Sequence, residues 1–96
     1  MSDLLNEQKL NDFLANASDW KVVDHQGVNA LTKTYQFDDF AQALFFVNQV
    51  GEKAEENNHH PEIHLSWGKV IVFWWSHDVG GISARDTALA LAVDQR

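Results

Sequence analysis

The sequence predicts an α+β fold of two layers, a four-stranded antiparallel sheet with three helices on one face, in the order αββαββα. Two segments repeat apolar residues about every 3.6 positions, as amphipathic helices do, and a third is an apolar segment opened by a helix-capping pattern. Four shorter segments have the alternation or the β-propensity of strands, and they occur as two pairs, each joined by a turn that contains glycine. At 96 residues the chain fits one domain, residues 1–96.

The first third of the chain predicts a helix followed by a hairpin. In residues 3–17 the leucines and Phe13 fall on one face of a helix. Ser2 or Asp3 can cap its start. Strands are predicted at 20–24 and 30–37. The second strand alternates cleanly, and the charge of Lys33 on its apolar face predicts a position near the edge of the sheet.

The middle helix is predicted to begin after Asp38-Asp39 and to run to about Asn57 or Asn58. Pro61 forbids its continuation and keeps His60 out of helical geometry. The predicted buried stripe consists of Phe40, Leu44, Val47, Gly51 and Ala54, widened by Ala43, Phe46 and Val50.

The last third predicts a second hairpin and a third helix. Strands are expected at 62–67 and 70–76, and Ser83-Ala84-Arg85-Asp86 has the pattern of a capping box. The second of these strands is apolar on both faces, so the sheet face without helices should expose an apolar patch suited to a partner. The side chains of that expected patch are Ile71, Phe73 and Trp75.

Composition excludes several classes of protein. A formal charge of −7 with no Lys/Arg cluster argues against direct binding of nucleic acid. No apolar stretch approaches the roughly 20 residues that a bilayer requires, and the N-terminus lacks the pattern of an export signal, so we expect a cytoplasmic protein that does not enter the membrane. The absence of cysteine excludes disulfides and thiolate ligands.

Four of the five histidines fall between His59 and His77, which suggests either metal binding or proton transfer. For a metal, the spacing of His60 and His64 would suit a helix, but Pro61 indicates extended chain, in which four residues cover about 13 Å. The sequence therefore disfavours a metal site. Acid–base chemistry is better supported, because these histidines lie in loops at the ends of rigid elements.

The alternative for each histidine is a surface residue near a helix C-terminus, where the helix dipole favours it without any function. His25, in the first hairpin turn, is assigned to that class, and His64 is expected to face solvent or line a pocket. Glu55 lies one helical turn before His59 and could orient an imidazole. Asp86 is explained by helix capping unless a further feature involves it.

That further feature is the spacing of the whole set. Glu55-x3-His59-His60-Pro61-x5-Trp67-x9-His77-x8-Asp86 resembles the signature of the pterin-4a-carbinolamine dehydratases, also known as dimerisation cofactors of a homeodomain transcription factor. The Ser-x-Arg-Asp that opens the last helix and the Asp38-Asp39-Phe40 entry to the middle helix resemble the family as well. The resemblance covers nearly the whole chain.

The resemblance implies an enzyme that removes water from 4a-hydroxytetrahydropterin to give quinonoid dihydropterin, and so recycles the pterin of aromatic amino-acid hydroxylases. It implies His59 and His77 as the acid–base pair, without saying which is acid and which is base. His60 would bind the pterin ring, and Glu55 would orient a histidine. The implied substrate-binding residues are His60, Trp20, Trp67 and Asp86.

The resemblance implies no cofactor, since the pterin is the substrate, and it implies a homodimer or homotetramer. Trp67 stands where animal members have tyrosine, and the open sheet face is more apolar here than in those members. The second hypothesis is therefore a non-catalytic interaction or dimerisation module that uses this sheet face.

Overall fold

The computed structural model describes residues 4–95, and its elements follow the predicted order αββαββα. The three helices are α1 (Glu7–Asn16), α2 (Phe40–Asn57) and α3 (Ala84–Asp94). The four strands are β1 (Lys21–His25), β2 (Val28–Gln36), β3 (Glu62–Ser66) and β4 (Lys69–Trp74). The predicted α+β fold class is confirmed.

The strands form one antiparallel sheet in the order β1-β2-β4-β3, so β2 and β4 are central and β1 and β3 are edges. The prediction that Lys33 lies near an edge was wrong, because it lies on central β2. Its ammonium is tolerated there because Nζ lies 2.8 Å from Asp94 Oδ1 on α3.

The hydrophobic core lies between one face of the sheet and the helices. On β4, the predicted alternation is confirmed: Val70, Val72 and Trp74 are fully buried. Leu31 and Tyr35 supply the same face of β2. All three helices pack against these residues, α1 through partly buried Leu10, Phe13 and Leu14, and α3 through Leu89, Ala90 and Val93.

The buried stripe of α2 is rotated from the predicted one. Ala43, Phe46, Val50 and Ala54 are buried, whereas Phe40 and Leu44 are exposed. Residues 43, 46, 50 and 54 repeat at helical spacing, and this row faces the sheet, so the residues on either side of it turn towards solvent. Phe45 points away from the core and is 65% exposed.

Several element boundaries differ from the predictions, and two of these differences have a clear structural cause. α1 begins at Glu7 because the side chain of Asn6 accepts the backbone N–H of Lys9 at 2.8 Å; the caps expected at residues 2–3 lie outside the described residues. β4 ends at Trp74, two residues early, and Ser76 instead forms an isolated bridge with Gly81. Within residues 4–95 no helix has the length and apolar character needed to cross a membrane.

Candidate active site

The loop after α2 carries the two adjacent histidines and separates them. Asn58 ends the helix in left-handed geometry (φ 49°, ψ 41°), which asparagine tolerates better than most residues. The N–H of His59 still donates to the carbonyl of Ala54 at 3.2 Å. Pro61 then keeps His60 extended. Successive side chains point in opposite directions, so His59 is turned inwards and His60 is exposed.

His59 is held in one orientation. Only 11% of its side chain is exposed, and its Nε2 lies within hydrogen-bond distance of Asp86 Oδ1, at 2.6 Å. Its ring stacks on the buried indole of Trp74, with centroids 5.9 Å apart and planes 17° from parallel. An imidazole held in one orientation is suited to general acid–base catalysis.

Asp86 has two roles at the start of α3. Its Oδ2 accepts the backbone N–H of Ser83 at 2.8 Å and completes a capping box, so it caps the helix. The same oxygen accepts the hydroxyl of Ser76 at 2.7 Å. The side chain is fully buried, and these donors together with His59 offset the cost of burying a carboxylate.

His77 lies in the tight turn after β4 and is exposed. The turn is closed by the N–H of Ser76, which donates to the carbonyl of Gly81 at 2.8 Å. The Oγ of Ser76 binds Asp86 and lies 3.5 Å from the Nε2 of His59. The residue next to His77 is therefore attached to the same carboxylate that holds His59.

His60 and Glu55 form a separate exposed pair, in which His60 Nε2 hydrogen-bonds Glu55 Oε2. Glu55 thus contacts His60 and not His59. The pair borders a shallow groove of about 730 Å³ along α2 and the start of β3. His59 lines a different cavity of about 220 Å³, whose other residues are Asn57, Arg85, Ala88, Leu89 and Ala92.

The two predicted substrate-binding tryptophans lie away from these histidines. Trp20 is buried, and its Nε1 donates to Asp94 at 2.8 Å. Asp94 is at the opposite end of α3 from Asp86, about 12 Å along the helix. Trp67 is exposed in the β3–β4 turn, about 17 Å along β3 from the histidine loop. The structure therefore does not bring either indole next to His59.

The open sheet face carries a second group of imidazoles that the sequence analysis left out of the site. Glu62 accepts from His25 Nε2 at 3.0 Å and from His64 Nε2 at 2.6 Å, and the ring of His25 stacks on Phe73 at 4.4 Å. Hydrogen bonds from His64 and His25 hold the pKa of the Glu62 carboxyl below its ordinary value. The apolar side chains expected to form an exposed patch are half-buried here: Ile71, Phe73 and Trp75.

Metal ligation has no geometric support in the described chain, residues 4–95, where no three His, Asp or Glu side chains converge on a point that could hold an ion.

The residue that sequence reasoning missed is Ser76. The alternation that turns Val70, Val72 and Trp74 inwards also turns Ser76 inwards, and a buried hydroxyl requires a partner. That signal could have linked the end of β4 to Asp86.

Comparison with known proteins agrees with these features. Residues 3–96 match the profile of the family described as Pterin 4 alpha carbinolamine dehydratase. A relative from Hahella chejuensis, provisionally named a pterin-4-alpha-carbinolamine dehydratase, is 42% identical over 93% of this chain and 80% of its own. A relative of the same provisional name from Vibrio vulnificus is 42% identical over 95% of this chain and 83% of its own.

Solved structures show the same fold. The crystal structure of a protein from Brucella melitensis, described as a transcriptional coactivator/pterin dehydratase, superposes with a TM-score of 0.87 at 30% identity and covers 96% of both chains. A pterin dehydratase-like protein described as a RuBisCO assembly factor of the alpha-carboxysome superposes with a TM-score of 0.66 at 23% identity, over 80% of this chain and 87% of its own. The profile match and the identities over most of each chain show that this chain belongs to the pterin-4-alpha-carbinolamine dehydratase family.

Proposed function

We propose that this chain is a dehydratase that removes water from a 4a-hydroxytetrahydropterin and releases the quinonoid dihydropterin. A base takes the proton from N5, the C4a–O bond breaks as a C4a=N5 double bond forms, and an acid protonates the departing hydroxyl, which leaves as water. These steps need two groups that titrate near neutrality. The observation that carries the proposal is the 2.6 Å pairing of His59 with fully buried Asp86, which also holds the residue next to His77.

In this proposal His59 and His77 are the acid–base pair. His60 contacts the pterin ring, and Glu55 sets the orientation of His60 through their hydrogen bond. Asp86 supports the site through His59. No metal or further cofactor takes part, because two proton transfers complete the reaction without any change of oxidation state. The product would supply tetrahydropterin recycling in cells that hydroxylate aromatic amino acids.

A second candidate function, a protein-interaction module, is favoured by one observation. Helix α2 exposes Phe40, Leu44 and Phe45 on its outer side, and each of them is more exposed than the half-buried apolar side chains of the open sheet face. We propose that copies of the chain associate as a homodimer or homotetramer. Phe45→Lys, followed by light scattering and by turnover, separates the two functions, since it should weaken association and leave the catalytic histidines intact.

The test of the dehydratase is the rate of dehydration of chemically generated 4a-hydroxytetrahydropterin, followed by ultraviolet absorbance with and without a chelator. We expect acceleration over the buffer rate that the chelator does not change. His59→Ala and His77→Ala should each lose about 10²–10⁴-fold, the usual contribution of one positioned proton transfer. His64→Ala, an exposed histidine of the sheet face, is the matched control and should retain activity. A folded wild type that does not exceed the buffer rate refutes the proposal.

A further inference from the structure

We propose that His59 exchanges its proton with the substrate through Nδ1, and that Ser76 and Ser83, acting through Asp86, are positioning residues that impose this choice. The catalytic part of the inference rests on the proposed dehydratase function. The assignment of the proton to one ring nitrogen rests on hydrogen bonds alone, so it can be tested without turnover.

Apart from His59, every group that hydrogen-bonds the Asp86 carboxylate donates to it. Oδ2 accepts the backbone N–H of Ser83 at 2.8 Å and the hydroxyl of Ser76 at 2.7 Å. The hydroxyl oxygens of Ser76 and Ser83 are 2.7 Å apart. Because the Ser76 proton is directed to Asp86, the Ser83 hydroxyl donates towards Ser76 and, at 3.3 Å, towards Asp86 Oδ2, and its oxygen accepts the N–H groups of Arg85 at 3.3 Å.

This ordered chain leaves Asp86 Oδ1 for His59. The donors at Oδ2 stabilise the carboxylate form of Asp86, and a carboxylate only accepts hydrogen bonds, so the nitrogen 2.6 Å from Oδ1 carries the hydrogen. That nitrogen is Nε2. Among the described residues nothing hydrogen-bonds Nδ1 of His59, so Nδ1 is the position at which a proton can be gained or lost during the reaction.

The serines also dictate what happens when the carboxylate becomes an amide. In Asp86→Asn, the donors from Ser76 and Ser83 hold the amide oxygen at the position of Oδ2. The amide NH₂ must then face His59, whose Nε2 becomes an acceptor, and the ring proton moves to Nδ1. Removing the charge of residue 86 therefore moves the His59 proton from Nε2 to Nδ1, although asparagine has the same shape as aspartate.

The deciding experiment is a long-range ¹H–¹⁵N correlation spectrum of the histidine rings, recorded on the whole protein at a pH where His59 is neutral. In wild type we expect Nε2 protonated and Nδ1 bare. In Asp86→Asn we expect Nδ1 protonated, with kcat lower by about 10²-fold or more and KM nearly unchanged, because binding groups remain but the proton is misplaced. The wild-type spectrum is decisive even if the variant does not fold.

Ser76→Ala tests the positioning role. Losing a hydrogen bond to a charged group should lower kcat about tenfold and shift the far-downfield Nε2–H resonance of His59, while Ser76→Thr, which keeps the hydroxyl, should restore both. Ser66→Ala, at an exposed serine in the β3–β4 hairpin, is the control that should change neither. A purely structural role would lower the free energy of unfolding of Ser76→Ala without moving the His59 resonance, and that result overturns the inference.

The remaining outcomes separate this inference from the proposed function. Wild type with Nδ1 protonated and full turnover overturns the inference and leaves the dehydratase standing. Wild type with Nε2 protonated but no turnover overturns the catalytic role of His59 together with the proposed function.

Discussion

Replacing Asp94 by asparagine should destabilise the fold strongly and in a pH-dependent way. Asp94, near the end of α3, accepts from Lys33 Nζ at 2.8 Å and from Tyr35 Oη at 2.6 Å through Oδ1, and from Trp20 Nε1 at 2.8 Å through Oδ2. An amide nitrogen placed at either oxygen position would face a donor. The substitution therefore breaks at least one hydrogen bond and removes the nearest counter-charge of the Lys33 ammonium, which is largely buried.

The magnitude follows from the burial of the group. Breaking a buried ion pair costs about 3–5 kcal/mol, and because Asp94 is 24% exposed we expect the lower value of about 2–3 kcal/mol. For a domain of this size that lowers Tm by on the order of 10–20 °C. Asp19→Asn is the matched control, because Asp19 lies 4.0 Å from the same ammonium but is 82% exposed. It should cost less than about 0.5 kcal/mol.

The pH dependence has a definite sign. Burial alone would raise the pKa of the Asp94 carboxyl, but hydrogen bonds from Lys33, Tyr35 and Trp20 outweigh it and lower the pKa. A lowered pKa means that the stabilisation is fully present above the unfolded value of about 3.9 and is lost as pH falls through the folded value. Urea unfolding followed by tryptophan fluorescence from pH 7 downwards measures this. If Asp94→Asn costs no more than Asp19→Asn at pH 7, or if its cost is the same in acid, the account is refuted.

Three further predictions concern other parts of the fold. Glu62→Gln should lower the free energy of unfolding by about 1 kcal/mol or less at neutral pH. Because the Glu62 pKa is lowered, this loss should disappear as the carboxyl protonates in acid, which denaturant unfolding at two pH values checks; an equal loss at both would contradict it. Gly68→Ala should destabilise by about 1–3 kcal/mol because its Cβ would lie 2.7 Å from the carbonyl oxygen of Phe37. Gly51→Ala, in α2 with nothing within 4 Å of the new atom, should instead stabilise the protein by about 0.5–1 kcal/mol. Thermal unfolding compares the two variants, and a shift of both melting temperatures in the same direction would contradict the prediction. Asn58→Ala should cost about 1 kcal/mol and Asn58→Gly much less, since φ is 49°; equal urea midpoints for the two would count against it.

The fold was predictable from the sequence because local signals agreed with one another. Period-2 and period-3.6 patterns, the Asp39 cap and Pro61 gave the element order and the end of α2. The errors arose where tertiary pairing overrides a local pattern. Lys33 is predicted at an edge from its charge alone, but its position depends on Asp94, which lies 61 residues away. The exposed Phe40 and Leu44 were misplaced because apolar character does not say which row of a helix faces the sheet.

For the candidate site, the sequence proposed residues but could not give their contacts. The resemblance selected His59, His77 and Asp86, and the structure shows that His59 and Asp86 touch. Glu55 contacts His60 and not His59 because the left-handed residue Asn58 ends the helix, so the four-residue spacing of a helix no longer decides which side chain meets Glu55. Ser76 was missed because it belongs to no motif. Its only signal is that it continues the inward-facing alternation of Val70, Val72 and Trp74.

The His25–Glu62–His64 contacts have a consequence for how the sheet opens. β1 and β3 are the two edge strands, separated by β2 and β4, yet Glu62 at the start of β3 binds His25 at the end of β1. Edge strands usually fray singly, each with its own small opening free energy. Here, separating either edge from the sheet breaks a contact with the other, so the two edges are coupled into one cooperative unit. Amide hydrogen exchange at the end of β1 should therefore respond to substitutions at the start of β3, although no backbone hydrogen bond joins them.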